Sequence, residues 1–227
     1  MAKMTSFIRL DLITVKPYFT VKNLSIYAVV ALFLTATSGN ISSGIGVGMM
    51  LSGMFTGYPF ALGEKSNLDA LYATLALNRQ TVVLGRYLFT LALNLVAIIF
   101  SVALSSAGLL AAGILGSSIG SEGVMWSFLA LAAIIIVIQA IQLPLYFKLG
   151  YSKAKFMSLM PFLFIMAFVA ALMALSENGK FTGVIADFIA IIMFNSNGLA
   201  LFTVLALCLI VFLSYRLSLA FYQKREF

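Results

Sequence analysis

Few side chains in this chain of 227 residues can do chemistry. There is no histidine, which excludes imidazole acid–base catalysis and histidine-ligated metal sites. The single cysteine, Cys208, lies inside an apolar run and supports no disulfide framework. No GxxxxGK[ST] phosphate loop occurs, since Gly179 and Lys180 are followed by Phe181, so nucleotide hydrolysis by that route is excluded. The polar groups deepest in apolar sequence are neutral: Asn94, Gln139 and Gln142. The two glutamines stand three apart, on one face of a helix just before Pro144. They either hydrogen-bond to a neighbouring helix or face a candidate substrate path.

The elements that must hold these groups are long and apolar. Six runs stand out, at 21–37, 41–62, 87–115, 124–147, 157–175 and 199–221. Each approaches or exceeds the ~20 residues that a helix needs to cross a bilayer core. With 63% hydrophobic and 9% charged residues, the chain has too little polar surface for a soluble domain. The spacing predicts an all-α integral membrane protein, a single transmembrane domain over 1–227 with six spans. Of fourteen Lys and Arg, all but Lys180 fall in segments that alternate to one side. These are Lys3, Arg9, Lys16 and Lys22; Lys65, Arg79 and Arg86; Lys148, Lys153 and Lys155; and Arg216, Lys224 and Arg225. Basic loops stay cytoplasmic, so both termini are predicted inside the cell membrane. The net charge of +7 reads as anchorage to anionic lipid, with no nucleic-acid partner implied.

Three further segments complete the layout. Residues 1–20 mix Phe7, Ile8, Leu10 and Leu12 with Lys3, Arg9 and Asp11 in the manner of an interfacial helix, ended by Pro17. The apolar stretch 184–194 is too short to span and predicts a short external helix from 183, separated from the last span by Asn195, Ser196, Asn197 and Gly198. The alternative is that it begins a long bent final helix. In the second run Gly44, Gly48, Ser52 and Thr56 recur every four residues, a small-residue stripe that admits a close neighbour. That neighbour is either another helix of this chain or a second subunit. No acidic or basic residue lies near the middle of any run, so an ion-driven charge relay is not visible.

The loop after the second run carries the one local pattern with mechanical content. Ser66 followed by Asp69 is a capping-box pattern. Leu68, Leu71, Tyr72 and Leu75 then form one stripe of a short amphipathic helix, with Asn78 as its stop before Arg79. An apolar face on the cytoplasmic side must bury against lipid headgroups or a protein.

Here the chain resembles the permease subunits of ABC-2 type ATP-binding-cassette exporters, closest to their compact six-span bacterial branch. The residues that carry the resemblance are Phe60, Glu64 and Lys65, Asn67, Asp69, Leu71 and Leu75, then Arg79, Val82 and Val83, Arg86 and Tyr87. Ala76, Leu77 and Asn78 stand where relatives often have a proline before the turn. The resemblance implies two such permeases, a copy or a paralogue, each resting on a separate cytoplasmic ABC ATPase subunit. ATP and Mg would bind the ATPase, and this chain would carry no cofactor and catalyse nothing. The ATPase-coupling residues would be Leu68, Leu71, Tyr72 and Leu75 as the docking face, Glu64, Lys65 and Arg79 as its rim, and Asn67 beside the cap. The predicted function is outward movement of a hydrophobic or amphipathic cargo, a drug or antimicrobial-type peptide, by alternating access. An ATP-independent carrier or channel and a membrane scaffold are the competing classes.

Overall fold

The computed structural model describes residues 12–13, 16, 20–66, 78–111, 113, 122–177 and 196–224. Among these the chain is all-helical. Seven helices follow one another: α1 Val21–Ser38, α2 Ile41–Phe55, α3 Tyr58–Lys65, α4 Arg79–Ala111, α5 Glu122–Leu149, α6 Tyr151–Glu177 and α7 Ser196–Gln223. Five segments are long and apolar enough to cross a bilayer: Val21–Ser38, Ile41–Lys65, Arg79–Ala111, Phe128–Leu149 and Leu201–Gln223. The run at 157–175 is helical and lies within α6.

The turns are built from residues suited to them. Gly39 ends α1 in the left-handed region (φ 63°), with its N–H on the Thr35 carbonyl. Asn40 follows at once, and its Oδ1 accepts from the Ser42 N–H at 3.0 Å to cap α2. The α5–α6 corner turns on Gly150 alone, at φ 76°. Its N–H bonds to the Tyr146 carbonyl, and its own carbonyl receives the Ala154 N–H. A β-carbon is poorly tolerated at that φ, which is why glycine stands there.

Three differences from the sequence expectations have physical causes. Asn78, expected as a helix stop, is a helix start: its carbonyl receives the Thr81 and Val82 N–H groups and its Oδ1 the Gln80 N–H, so it caps α4. Consequently α4 starts at Arg79, two turns before the apolar run. At the other end of the chain, Ser196, Asn197 and Gly198 open α7, which therefore begins before the apolar run at 199. The second run is not one helix: Thr56 and Gly57 divide it, and Pro59 sits in the first turn of α3. The stretches 67–77 and 183–194, and nearly all of 1–20, lie outside the described residues.

α2, α4 and α5 form the interior. Ile41, Ile45 and Met49 of α2 pack with Leu109 and Ile135, and Leu51 and Phe55 pack with Phe89 and Leu93 of α4. A third cluster joins Val82, Val83 and Tyr87 to Leu143, Phe147 and Tyr222. α1 and α7 lie outside, with Phe33, Leu201 and Phe202 among their largely exposed apolar residues. Such faces suit contact with hydrocarbon or protein and not water.

Candidate functional site

One group of buried polar side chains within the spans pairs between helices. Ser52 is 0% exposed and donates through Oγ to Asn94 Oδ1. Asn94 Nδ2 donates to Gln139 Oε1 at 2.7 Å, and Gln139 Nε2 returns the bond to Asn94 Oδ1 at 2.9 Å. The same Nε2 also lies 3.2 Å from Thr56 Oγ1 and 3.3 Å from Ser52 Oγ. Two amides thus clasp one another, and hydroxyls from the small-residue helix close the group. It bolts α2, α4 and α5 together where water cannot compete.

Gln142 belongs elsewhere. Its Nε2 donates to the Ser158 carbonyl at 3.0 Å, and Tyr146 Oη donates to Ser158 Oγ at 3.0 Å, so both tie α5 to α6. Although the two glutamines share a helix face, they serve different neighbours.

Gly44 and Gly48 bring α2 against α4 and α1. A β-carbon on Gly48 would lie 2.5 Å from Ser101 Cβ and 3.0 Å from the Ala97 carbonyl oxygen. One on Gly44 would overlap Ser105 Oγ and Thr35 Oγ1. Both serines turn their hydroxyls back to their own helix, Ser101 onto the Ala97 carbonyl and Ser105 onto the Ser101 carbonyl at 2.7 Å. The stripe is therefore covered from within the chain.

A second polar chain is set up by Pro144. Proline lacks an N–H, so it leaves the carbonyl four residues back, that of Ala140, without its helical donor. Ser214 Oγ of α7 supplies that donor at 2.6 Å. Because its one proton is used there, Ser214 must accept from Tyr87 Oη, 2.6 Å away. Tyr87 in turn accepts from Ser218 Oγ at 2.8 Å. The proton order therefore runs Ser218, Tyr87, Ser214, Ala140 carbonyl, across α7, α4 and α5. Of these residues the sequence singled out only Tyr87, and for the family resemblance, although an apolar helix with an internal proline already demands an outside donor.

The helix ends that flank residues 67–77 form a junction. Glu64 Oε2 accepts from the Ser152 N–H at 2.8 Å, so a side chain of α3 caps α6, where helix N–H groups lack partners. Arg79, first residue of α4, donates to the carbonyls of Tyr222 at 3.2 Å and of Gln223, the C-terminal end of α7. A cation there opposes the negative end of the helix dipole. Between them Arg86 is buried with its guanidinium carbon 4.9 Å from the Phe60 ring centroid. Phe60 stacks on Tyr146 at 5.1 Å and meets Phe147 edge-on at 5.0 Å. A cavity of about 30 Å³ remains beside Arg86, Glu64 and Tyr151, space for a water. Lys65 is exposed in the last turn of α3. Asn67, Leu68, Leu71, Tyr72 and Leu75 lie outside the described residues.

Among the described residues no three of His, Cys, Asp and Glu gather to hold a metal. Buried side chains such as Asn94, Gln139, Gln142 and Ser214 join helices. The fold and these contacts define a multi-pass membrane protein whose helices are tied together by buried polar groups and by anchor points at helix ends. Residues 6–223 match the model of the ABC-2 family transporter proteins, and the chain belongs to that family as a membrane component of a transporter. No curated protein and no solved structure is similar enough to match it.

Proposed function

We propose that this chain is the permease subunit of an ATP-driven exporter. It crosses the cell membrane six times with both termini inside, and pairs with a second copy or a paralogue. Separate ABC ATPases bind ATP and Mg, and their closure drives an outward-moving change of access for a hydrophobic or amphipathic cargo, a drug or antimicrobial-type peptide. The observation that carries the reading is the anchorage on either side of the 67–77 loop. Glu64 holds the start of α6 and Arg79 holds the end of α7. A push on the loop is thereby delivered to two other helices. Leu68, Leu71, Tyr72 and Leu75 serve as the docking face for the ATPase, with Asn67 at the cap and Lys65 on the rim. The Asn94–Gln139 group keeps α2, α4 and α5 moving as one body, and cargo passes outside it.

The test is photocrosslinking from residue 72 in native membranes, with and without ATP. Capture of an ATPase, lost in Leu71→Asp with Tyr72→Ala while abundance holds, supports the coupling role. Capture of lipid alone in both states removes it.

A further inference from the structure

A groove of about 640 Å³ opens sideways from the bundle between α4, α5 and α7, and its walls are almost wholly apolar. Leu84 and Tyr215 line one end, Leu129 and Val204 the other, with Ala132 and Ile136 between them. Along α7 it runs from residue 204 to 215, which at 1.5 Å per residue is ~16 Å. That is about half of a ~30 Å hydrocarbon core, the depth of one leaflet. Tyr215 and Arg216 suit the edge of the hydrocarbon, since a tyrosine favours the interface and a cation is costly deeper. Arg216 is exposed and stands one helical turn beyond Phe212, a groove residue that is 56% exposed. Residues four apart share a helix face, so the guanidinium lies within reach of the groove's interfacial end.

An apolar trough one leaflet deep with a cation at its interfacial end matches a single lipid molecule in shape and charge. A helix of a second subunit would need a seam about twice as long. We propose that this groove holds one acyl chain of an anionic phospholipid, with the lipid phosphate on Arg216. Calling its leaflet cytoplasmic rests on the proposed topology; the binding itself does not, and it is independent of the transport reading.

The test uses the full-length chain in phosphatidylcholine vesicles containing a trace of phosphatidylglycerol with a diazirine at the end of one acyl chain. Diazirine-labelled phosphatidylcholine is the comparison lipid. Photolysis should place phosphatidylglycerol on the peptides holding Leu129 and Val204, about fivefold above phosphatidylcholine, as one basic residue beside an anionic lipid provides. Arg216→Gln, at an exposed position, should bring the two lipids level. Ala132→Phe should fill the groove and reduce labelling by both. Equal labelling of wild type by both lipids overturns the proposal. So does efficient disulfide formation between two copies through Cys208, which lines the groove and would mark it as a subunit contact. The topology fails separately, if Arg216→Cys in a Cys208→Ser background reacts with an impermeant thiol reagent outside intact cells.

Discussion

Ser214→Ala should destabilise this protein because Pro144 has made the Ala140 carbonyl depend on another helix. The structure gives that carbonyl the Ser214 hydroxyl at 2.6 Å. Stranding a buried acceptor costs about 1–3 kcal/mol, whereas hydrogen bonds between membrane helices average ~0.6 and reach about 1.7 kcal/mol. The expected loss is therefore about 1–2 kcal/mol, near the upper end because Tyr87 loses its acceptor too. Pro144→Ala returns an N–H to the i−4 position and supplies the Ala140 carbonyl from within α5. Against that background Ser214→Ala should cost less, a coupling of about 1 kcal/mol in a double-mutant cycle. Ser218→Ala, which removes only a donor to Tyr87, should cost less than Ser214→Ala in either background. The assay is reversible unfolding of the full chain from mild detergent into a denaturing one, followed by far-UV circular dichroism and the fluorescence of the single Trp. Additivity within about 0.5 kcal/mol would refute the assignment of Ser214 as the surrogate donor.

Gly48→Ala should cost about 1–3 kcal/mol by overpacking against Ser101, and Ser101→Gly should recover part of that in thermal melts. Asn94→Leu strands the Gln139 carbonyl oxygen and should lower stability by about 1–3 kcal/mol, while Asn94→Leu with Gln139→Leu should be milder than their sum. If the double variant instead abolishes export in well-folded protein, the amides belong to the cargo path. Glu64→Ala removes the cap on α6 and should cost about 0.5–2 kcal/mol, with Glu64→Gln retaining most of it by the same melts. Cysteines replacing Gly120 and Lys180 should react with an impermeant reagent outside intact cells, and cysteines replacing Ser66 and Ser152 should not, once Cys208 is removed; reaction at residue 66 would overturn the orientation.

The apolar runs were legible because transfer into lipid depends on composition within a window of residues, without knowledge of any partner. The runs at 21–37, 124–147 and 199–221 accordingly end within a few residues of α1, α5 and α7. Boundaries failed where a polar residue had two uses. Asn78 suits a helix stop and a helix cap equally by type, and only the carbonyl and side-chain bonds to residues 80–82 decide that it begins α4. Ser196 to Gly198 are poor helix formers in isolation, yet α7 starts with them.

Sequence alone determined that the chain is a membrane-embedded helical protein, that its deepest polar groups are neutral, and that Gly44, Gly48 and Ser52 admit a close neighbour. Tertiary structure decided who the neighbours are. Asn94 finds Gln139 across 45 residues, Ser214 finds the Ala140 carbonyl across 74, and Arg79 finds Tyr222 across 143. Helical periodicity sets which residues share a face, but the rotation and depth at which two helices meet depend on packing over the whole bundle. Gln139 and Gln142 illustrate it: one face by period, yet one side chain closes on α2 and α4 and the other on α6. Hydrogen-bond partners must come within about 3 Å, so a shift of one helix by a fraction of a turn selects a different one.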